Sequence, residues 1–271
     1  MVEIAVDGLV HVYPEGKVRA IDGVDLRIGP GERVALIGQN GSGKTTLVRH
    51  LNGLLRPTAG TVRLDGTDAA SLTVAQLAAR VGLVFQDPDR QIFSGSVRSE
   101  VEFGARNVGL RDSSRHAAVA KALRATGLDG EEATNPYDLG GARRKLLALA
   151  SVLAMETPVL ILDEPTTGQD ASGVERVREI VESVTTAGRT VIAISHDMRF
   201  VAEAFERVVV MRAGRVILDG SPATVFARNA WEGLASTYLE PPRAAVVGDR
   251  LGVGSTPTDA DLVDALRARP D

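Results

Sequence analysis

The 271-residue chain reads as an α/β protein built on a parallel sheet, and three observations predict it. Apolar runs suited to buried strands recur at Val34 to Ile37, Val81 to Phe85, Val159 to Leu162 and Val191 to Ile194, separated by helix-like stretches. That alternation covers a parallel sheet with helices. Before Val81 the pattern differs: strand candidates at Ile4 to Val12, Val24 to Ile28 and Thr61 to Leu64 are bounded by Gly-Pro-Gly and Pro-Thr-Ala-Gly turns, which predicts an antiparallel β subdomain beside the parallel core. Between the second and third core strands, helix candidates at Ser96 to Ala105, Ser113 to Thr126 and Ala142 to Met155 predict a helical insertion over about residues 88–156.

Toward the C-terminus, Val208 to Met211 and Val216 to Leu218 flank an Arg-Ala-Gly-Arg turn and read as a hairpin closing a domain of residues 1–226. Residues 227–271 hold Pro241-Pro242, several glycines and one final helix candidate, Asp259 to Arg269, and read as a small C-terminal appendage.

Composition narrows the function. Hydrophobic residues make up 44% and charged residues 24%, which fits one medium-sized globular domain with an appendage. A net charge of -4 argues against a nucleic-acid partner, whose phosphates call for a basic face. The absence of cysteine excludes disulfides, zinc fingers and thiol nucleophiles. The longest uncharged apolar run, Leu146 to Met155, falls short of the roughly 20 residues that span a bilayer. The N-terminal MVEIAVDG lacks a basic n-region and an apolar h-region, so a soluble, cytosolic chain is expected. Lysine is confined to Lys17, Lys44, Lys121 and Lys145 amid abundant arginine.

One of those lysines lies in a motif. Gly38-Gln39-Asn40-Gly41-Ser42-Gly43-Lys44-Thr45 matches G-x-x-x-x-G-K-[ST], directly after the strand Val34 to Ile37 and before a helix beginning Thr45-Thr46-Leu47-Val48. Glycines let backbone N–H groups wrap phosphates, the helix N-terminus adds a favourable dipole, Lys44 meets the terminal phosphates and Thr45 reaches magnesium. A glycine-rich turn with a surface lysine is the alternative, and the flanking strand and helix weigh against it. The core is therefore that of a P-loop NTPase, binding a nucleoside triphosphate at Gly38, Asn40, Gly41, Ser42, Gly43, Lys44, Thr45 and Thr46.

The strand Val159 to Leu162 ends in Asp163-Glu164. The first carboxylate suits holding magnesium and the second activating water, although adjacent acids at a strand end also suit a solvated turn. His196 follows the strand Thr190 to Ile194 at the same end of the sheet, where ligands of open parallel sheets gather. It suits either a terminal phosphate or a structural cap. His11, His50 and His116 lack a comparable setting.

The ordered series of phosphate loop, Gln86 after a strand, Leu139-Gly140-Gly141-Ala142-Arg143, Asp163-Glu164, Thr167-Gly168-Gln169-Asp170 and His196 resembles an ATP-binding cassette ATPase over nearly the whole chain. The resemblance implies ATP and Mg2+ as ligands, with Thr45, Gln86 and Asp163 at the metal. It implies catalytic roles for Glu164, Gln86 and His196, and a D-loop at Gly168, Gln169 and Asp170. It also implies adenine stacking on an N-terminal aromatic, here Tyr13, which equally suits packing against the turn at Pro14. Such cassettes work as dimers in which the signature Leu-Ser-Gly-Gly-Gln closes over the partner's nucleotide. Here the signature falls on Leu139, Gly140, Gly141, Ala142 and Arg143 and departs at three positions. The departures favour a heterodimer with a second ATPase bearing an intact signature, and a homodimer stays open, since some cassettes of this kind carry glycine at the signature serine.

The finer resemblance is to the ATPase subunits of energy-coupling factor transporters, which import vitamins or ions such as cobalt and nickel. It rests on Val84-Phe85-Gln86-Asp87-Pro88-Asp89-Arg90-Gln91-Ile92-Phe93, Pro136 to Gly140, Ala150 to Met155 and the Gly-Gln-Asp of the D-loop. It implies a transmembrane scaffold and a substrate-binding membrane protein as partners, at the cytoplasmic face of the membrane. It implies docking of the scaffold's coupling helices on about Gln91 to Phe103, whose Val97, Val101 and Phe103 also suit a core-facing stripe. The C-terminal region Pro241 to Leu266 resembles an appendage that holds two ATPases together. A GTPase or small-molecule kinase would call for an Asn-Lys-x-Asp motif or an arginine-rich lid, and a DNA-repair or translation cassette for a long coiled coil or a second cassette. None of these is present in the sequence. Another transporter branch is separated only by the stretches just named.

Overall fold

The computed structural model describes residues 2–14 and 17–268. Among them, β1 (Ile4–Tyr13), β2 (Val18–Ile28), β4 (Ala59–Leu64) and β5 (Thr67–Asp68) form an antiparallel sheet in the order β2-β1-β4-β5. A second sheet contains β3 (Arg33–Ile37), β6 (Val81–Val84), β7 (Val159–Asp163), β8 (Thr190–Ile194), β9 (Arg207–Arg212) and β10 (Arg215–Gly220) in the order β10-β9-β3-β8-β7-β6. All neighbours in it run parallel except β10 against β9.

The central strands are buried on both faces, which is why they read as unbroken apolar runs. Because successive side chains point to opposite faces, Ala35, Ile37, Leu160 and Leu162 enter one core while Val34, Leu36, Val159 and Ile161 enter the other. The first core lies under α3 (Val97–Asn107), α4 (Asp112–Thr126), α5 (Gly141–Leu153) and α6 (Ala171–Thr186). The second lies toward the antiparallel sheet and takes in Leu47, Val48 and Leu51 of α1 (Lys44–Leu51) and Leu77 of α2 (Val74–Ala78). Capping matches the sequence: Ser96 and Ser99 form a capping box at α3, and Asp170 accepts from Gly173 N–H at α6.

The structure differs from the sequence expectations at particular places. The hairpin strand β9 pairs parallel to β3 and so extends the core sheet rather than merely closing the domain. Phe85 falls outside β6. Phe103 does not face the core with Val97 and Val101: it is 37% exposed and stacks edge-on against Phe93. After α7 (Met198–Ala204) and α8 (Pro222–Val225), the C-terminal region holds α9 (Trp231–Ala235) and α10 (Arg243–Leu251) besides the expected α11 (Asp259–Arg267). Of these, α9 is too short to show a helical period, and α10 follows Pro241-Pro242 and contains Gly248. Leu234 and Ala245 join the first core, and Trp231 Nε1 donates to Phe226 O. Arg269, the expected end of α11, lies outside the described residues.

A buried histidine pair lies behind α1. His50 Nδ1 donates to Thr46 O at 2.7 Å and His11 Nδ1 to Arg56 O at 3.2 Å, so each ring carries a hydrogen on Nδ1. His50 Nε2, 3.1 Å from His11 Nδ1, is then the acceptor. Burial pushes the His50 imidazole below its ordinary value of 6.5. The unfolded chain takes that proton more readily, so the contribution of His50 to stability is present above about pH 6.5 and is lost as the pH falls below it. Between about pH 7.5 and about pH 5.5 the melting temperature of the wild-type chain should therefore fall relative to that of His50→Gln. An equal fall in the two would contradict the assignment.

Candidate functional site

β3 stops at Ile37 and α1 starts at Lys44, so residues 38–43 must turn tightly at the C-terminal edge of the parallel sheet. Glycine is required at two of these positions. Gly38 adopts φ +145°, and a Cβ there would strike the carbonyl oxygen of Met211 on β9. Gly43 adopts φ +105°, and its Cβ would lie 2.5 Å from Ala20 O and 2.9 Å from Ile21 Cδ1. The β9–β10 turn braces the loop, with Gly214 N–H donating to Ser42 O at 3.0 Å. No side chain caps α1, so its first N–H groups stay available to an anion.

Lys44 is 6% exposed, and its Nζ folds back to donate to Gly38 O at 2.5 Å and Gln39 O at 2.9 Å. Burial pushes the ammonium pKa down, opposed by the carboxylates of Glu164 and Asp163. Opposite it, parallel pairing sets Asp163 beside Ile194, which carries Asp163, Glu164 and His196 to the same sheet edge. Thr45 Oγ1 donates to Asp163 Oδ2 at 3.4 Å. Burial raises the Asp163 pKa, and the Thr45 hydrogen bond opposes that rise.

Glu164 is 5% exposed, and burial pushes its carboxyl up to about 7 against the lowering effect of the His196 N–H. Its Oε2 accepts from His196 N at 3.3 Å and from Thr167 Oγ1 at 3.5 Å. Oε1 lies 3.1 Å from His196 Nε2, but the ring nitrogen is not aligned along a hydrogen bond, so Oε1 is buried without a hydrogen-bond partner. The His196 side chain is 41% exposed, and burial and the Lys44 charge push its pKa down.

These groups line a cleft of about 560 Å³ that also takes in Tyr13, Asn40, Gly41, Ser42, Thr46 and Gln86. The structure thus brings together the residues of the phosphate loop, the acidic pair, Gln86 and His196. Tyr13 lines the cleft with its hydroxyl 3.2 Å from Thr46 Oγ1, and its ring meets His11 edge-on at 4.6 Å. The oxygen-only donors Thr45, Asp163 and Gln86 suit a hard divalent cation such as magnesium.

The signature stretch lies apart from this cleft, at the start of α5. Leu139 is buried and Gly140 is the uncapped N-cap. Arg143 turns back to Glu131 at 2.5 Å and to Gly127 O at 3.4 Å, an exposed pairing of at most about 1 kcal/mol. After the acidic pair, Gly168 adopts φ +77°, Gln169 Nε2 donates to Ala142 O at 2.9 Å and Asp170 caps α6.

Two contacts beside the site escaped sequence reasoning. Gln91 accepts from Phe85 N–H and donates to Ala148 O and Ser151 Oγ, bridging the β6 end to α5. Lys145 Nζ donates to Glu164 O at 3.1 Å. The scarcity of lysine was the one sequence signal for the second.

The ABC transporter family model matches residues 21–167. The chain belongs to the ABC transporter ATPases. It is 39% identical over 256 residues to the energy-coupling factor transporter ATP-binding protein EcfA of Methanothermobacter thermautotrophicus, covering 94% of this chain and 81% of EcfA. A putative ABC transporter ATP-binding protein of Caldanaerobacter subterraneus subsp. tengcongensis is 41% identical over 242 residues, 89% of this chain, which spans 42% of that relative's length. Among solved structures, CbiO1 from Clostridium perfringens, part of the ABC transporter complex CbiONQ, superposes with TM-score 0.75 at 36% identity, covering 92% of this chain and 98% of CbiO1.

For this ABC ATPase, Gly38→Ala should cost stability through both the positive φ and the collision with Met211 O, more than the about 1–3 kcal/mol of conformational strain alone. Gly66→Ala, at φ +73° with open space around it, should cost only the strain. Chemical denaturation of both variants checks this, and equal losses would contradict it.

Proposed function

We propose that this chain is the ATP-binding and hydrolysing subunit of an energy-coupling factor type transporter, powering import of a vitamin or a transition-metal ion across the cytoplasmic membrane. The observation that carries the ATPase reading is the convergence of Lys44, Thr45, Gln86, Asp163, Glu164 and His196 on one cleft. The transport reading is supported by the likeness to EcfA and CbiO1.

In this reading the N–H groups of the loop and of α1 wrap the phosphates of ATP, and Lys44 exchanges its backbone carbonyls for the terminal phosphates. Thr45, Asp163 and Gln86 would hold Mg2+, which when bound neutralises phosphate charge. The Oε1 of Glu164, which makes no hydrogen bond and lies 3.1 Å from His196 Nε2, accepts a hydrogen from the attacking water, and a carboxyl pushed up to about 7 is well matched to that work. His196 and Gln86 orient the terminal phosphate and water, and Tyr13 flanks the adenine.

The signature residues Leu139 to Arg143 act on a partner cassette's nucleotide. Their departures at Gly140, Ala142 and Arg143 favour a heterodimer in which a second ATPase completes the site at Lys44 and Glu164. Residues 1–226 form the ATPase domain, and 227–271 an appendage that stabilises the dimer. A groove of about 570 Å³ between α2, α3 and α5 exposes Phe93 and Phe103 and receives the coupling helices of a transmembrane scaffold. No helix of the described residues is long and apolar enough to cross a membrane, and the chain sits peripherally on the cytoplasmic face.

Affinity purification of the tagged chain from detergent-solubilised native membranes, with partners and stoichiometry read by mass spectrometry, tests this assignment. The expected result is a transmembrane scaffold, a small substrate-binding membrane protein and a second ATPase. Recovery of a conventional permease, or of no membrane protein, would overturn it.

A further inference from the structure

The conformation of Glu164 is opposed by its own sequence. It adopts φ +52°, a left-handed backbone that side chains other than glycine rarely take, and it precedes Pro165, which further disfavours helical angles. Contacts from elsewhere in the fold must hold it. On the amino side, Glu164 N–H donates to Ile194 O of β8 at 2.9 Å. On the carbonyl side, the neutral donor is Thr167 N–H at 3.4 Å and the charged one is Lys145 Nζ at 3.1 Å.

Lys145 projects from the second turn of α5, two residues after the signature stretch. Its ammonium is half-buried and reaches out of the helical insertion to the end of β7. A second tie joins the same elements: Gln169 Nε2 donates to Ala142 O in the first turn of α5. The segment from Glu164 to Gln169 is therefore fastened at both ends to α5. Of the two ties, only Lys145 touches the residue that carries the carboxylate.

We propose that Lys145 is a positioning residue for hydrolysis, holding the Glu164 peptide in its left-handed conformation and so aiming the carboxylate while linking it to the placement of α5. The proposal rests on the reading of Glu164 as the group that polarises water. Lys145 does not touch the nucleotide cleft, so its loss acts on turnover and leaves nucleotide affinity in place. A shift of α5 breaks or makes the Lys145 bond, so the hydrolytic carboxylate senses the position of the helix that bears the signature.

The test uses the membrane-purified complex carrying Lys145→Met, which keeps side-chain length and loses the donor, Lys145→Gln, which keeps a neutral donor, and Lys145→Arg, which keeps the charged one. Phosphate release gives kcat and KM, a fluorescent ATP analogue gives affinity, and melting curves report folding. Lys145→Met should lower kcat about tenfold or more with KM and affinity within about twofold, Lys145→Gln should fall between, and Lys145→Arg should restore most of the rate. Should Lys145→Met fail to fold, the contrast between the glutamine and arginine variants carries the test. Unchanged kcat in the methionine and glutamine variants, or a rate loss matched by an equal loss of affinity, would overturn the proposal. Glu164→Gln run alongside separates the two levels. If it stalls while the Lys145 variants turn over normally, the positioning role fails alone; if it turns over normally, the role of Glu164 fails and the positioning role with it.

Discussion

The cleft keeps three ionisable groups largely out of water. Lys44, Asp163 and Glu164 are all under 9% exposed, and burial works against the charge of each. Lys44 spends its hydrogens on loop carbonyls, and Glu164 leaves one oxygen with no hydrogen-bond partner. Such an arrangement costs stability. It is sensible where an incoming polyanion and its cation complete the electrostatics, and much of the fold reads as the apparatus that holds these groups in register.

That apparatus has two sides. On one, β3 delivers the loop to α1 while the β9–β10 turn presses against it, so Gly38 and Gly43 accept backbone approaches that no Cβ allows. On the other, β7 and β8 run parallel with Asp163 opposite Ile194, which sets the acidic pair and His196 at a shared edge. The helical insertion reaches the same edge through Lys145 and Gln169, and reaches the end of β6 through Gln91. Gln91 also lines the groove with Phe93 and Phe103. The groove and the cleft are thus linked through α5, which lines the groove at Ser151 and Val152 and bonds the backbone of Glu164 through Lys145.

What the sequence disclosed follows from where the information lies along the chain. The phosphate loop was legible because its motif, the preceding strand and the following helix are contiguous. Asp163-Glu164 was legible as a pair, but its setting against a solvated turn was decided by pairing with β8. The bonds His50–His11, Lys145–Glu164 and Gln91–Ala148 join residues 39, 19 and 57 positions apart, and no local pattern announces them. Strand β9 was read as half of a hairpin because β10 is its neighbour in sequence, while its parallel partner β3 is remote. Phe103 fitted a helical apolar stripe with Val97 and Val101, and only packing put it on the surface. In the C-terminal region, α9 is too short to show a period, and α10, as long as α11, follows Pro241-Pro242 and carries Gly248, which mask its pattern.

The central claim is that Lys44 and its loop hold the phosphates of ATP in this cleft. Calorimetric titration of a slowly hydrolysed ATP analogue with Mg2+, into the wild-type chain and into a Lys44→Ala variant shown by melting to be folded, tests it most directly. The account predicts one nucleotide per wild-type chain and no detectable binding to the variant. Equal binding to both would place the nucleotide elsewhere and contradict it.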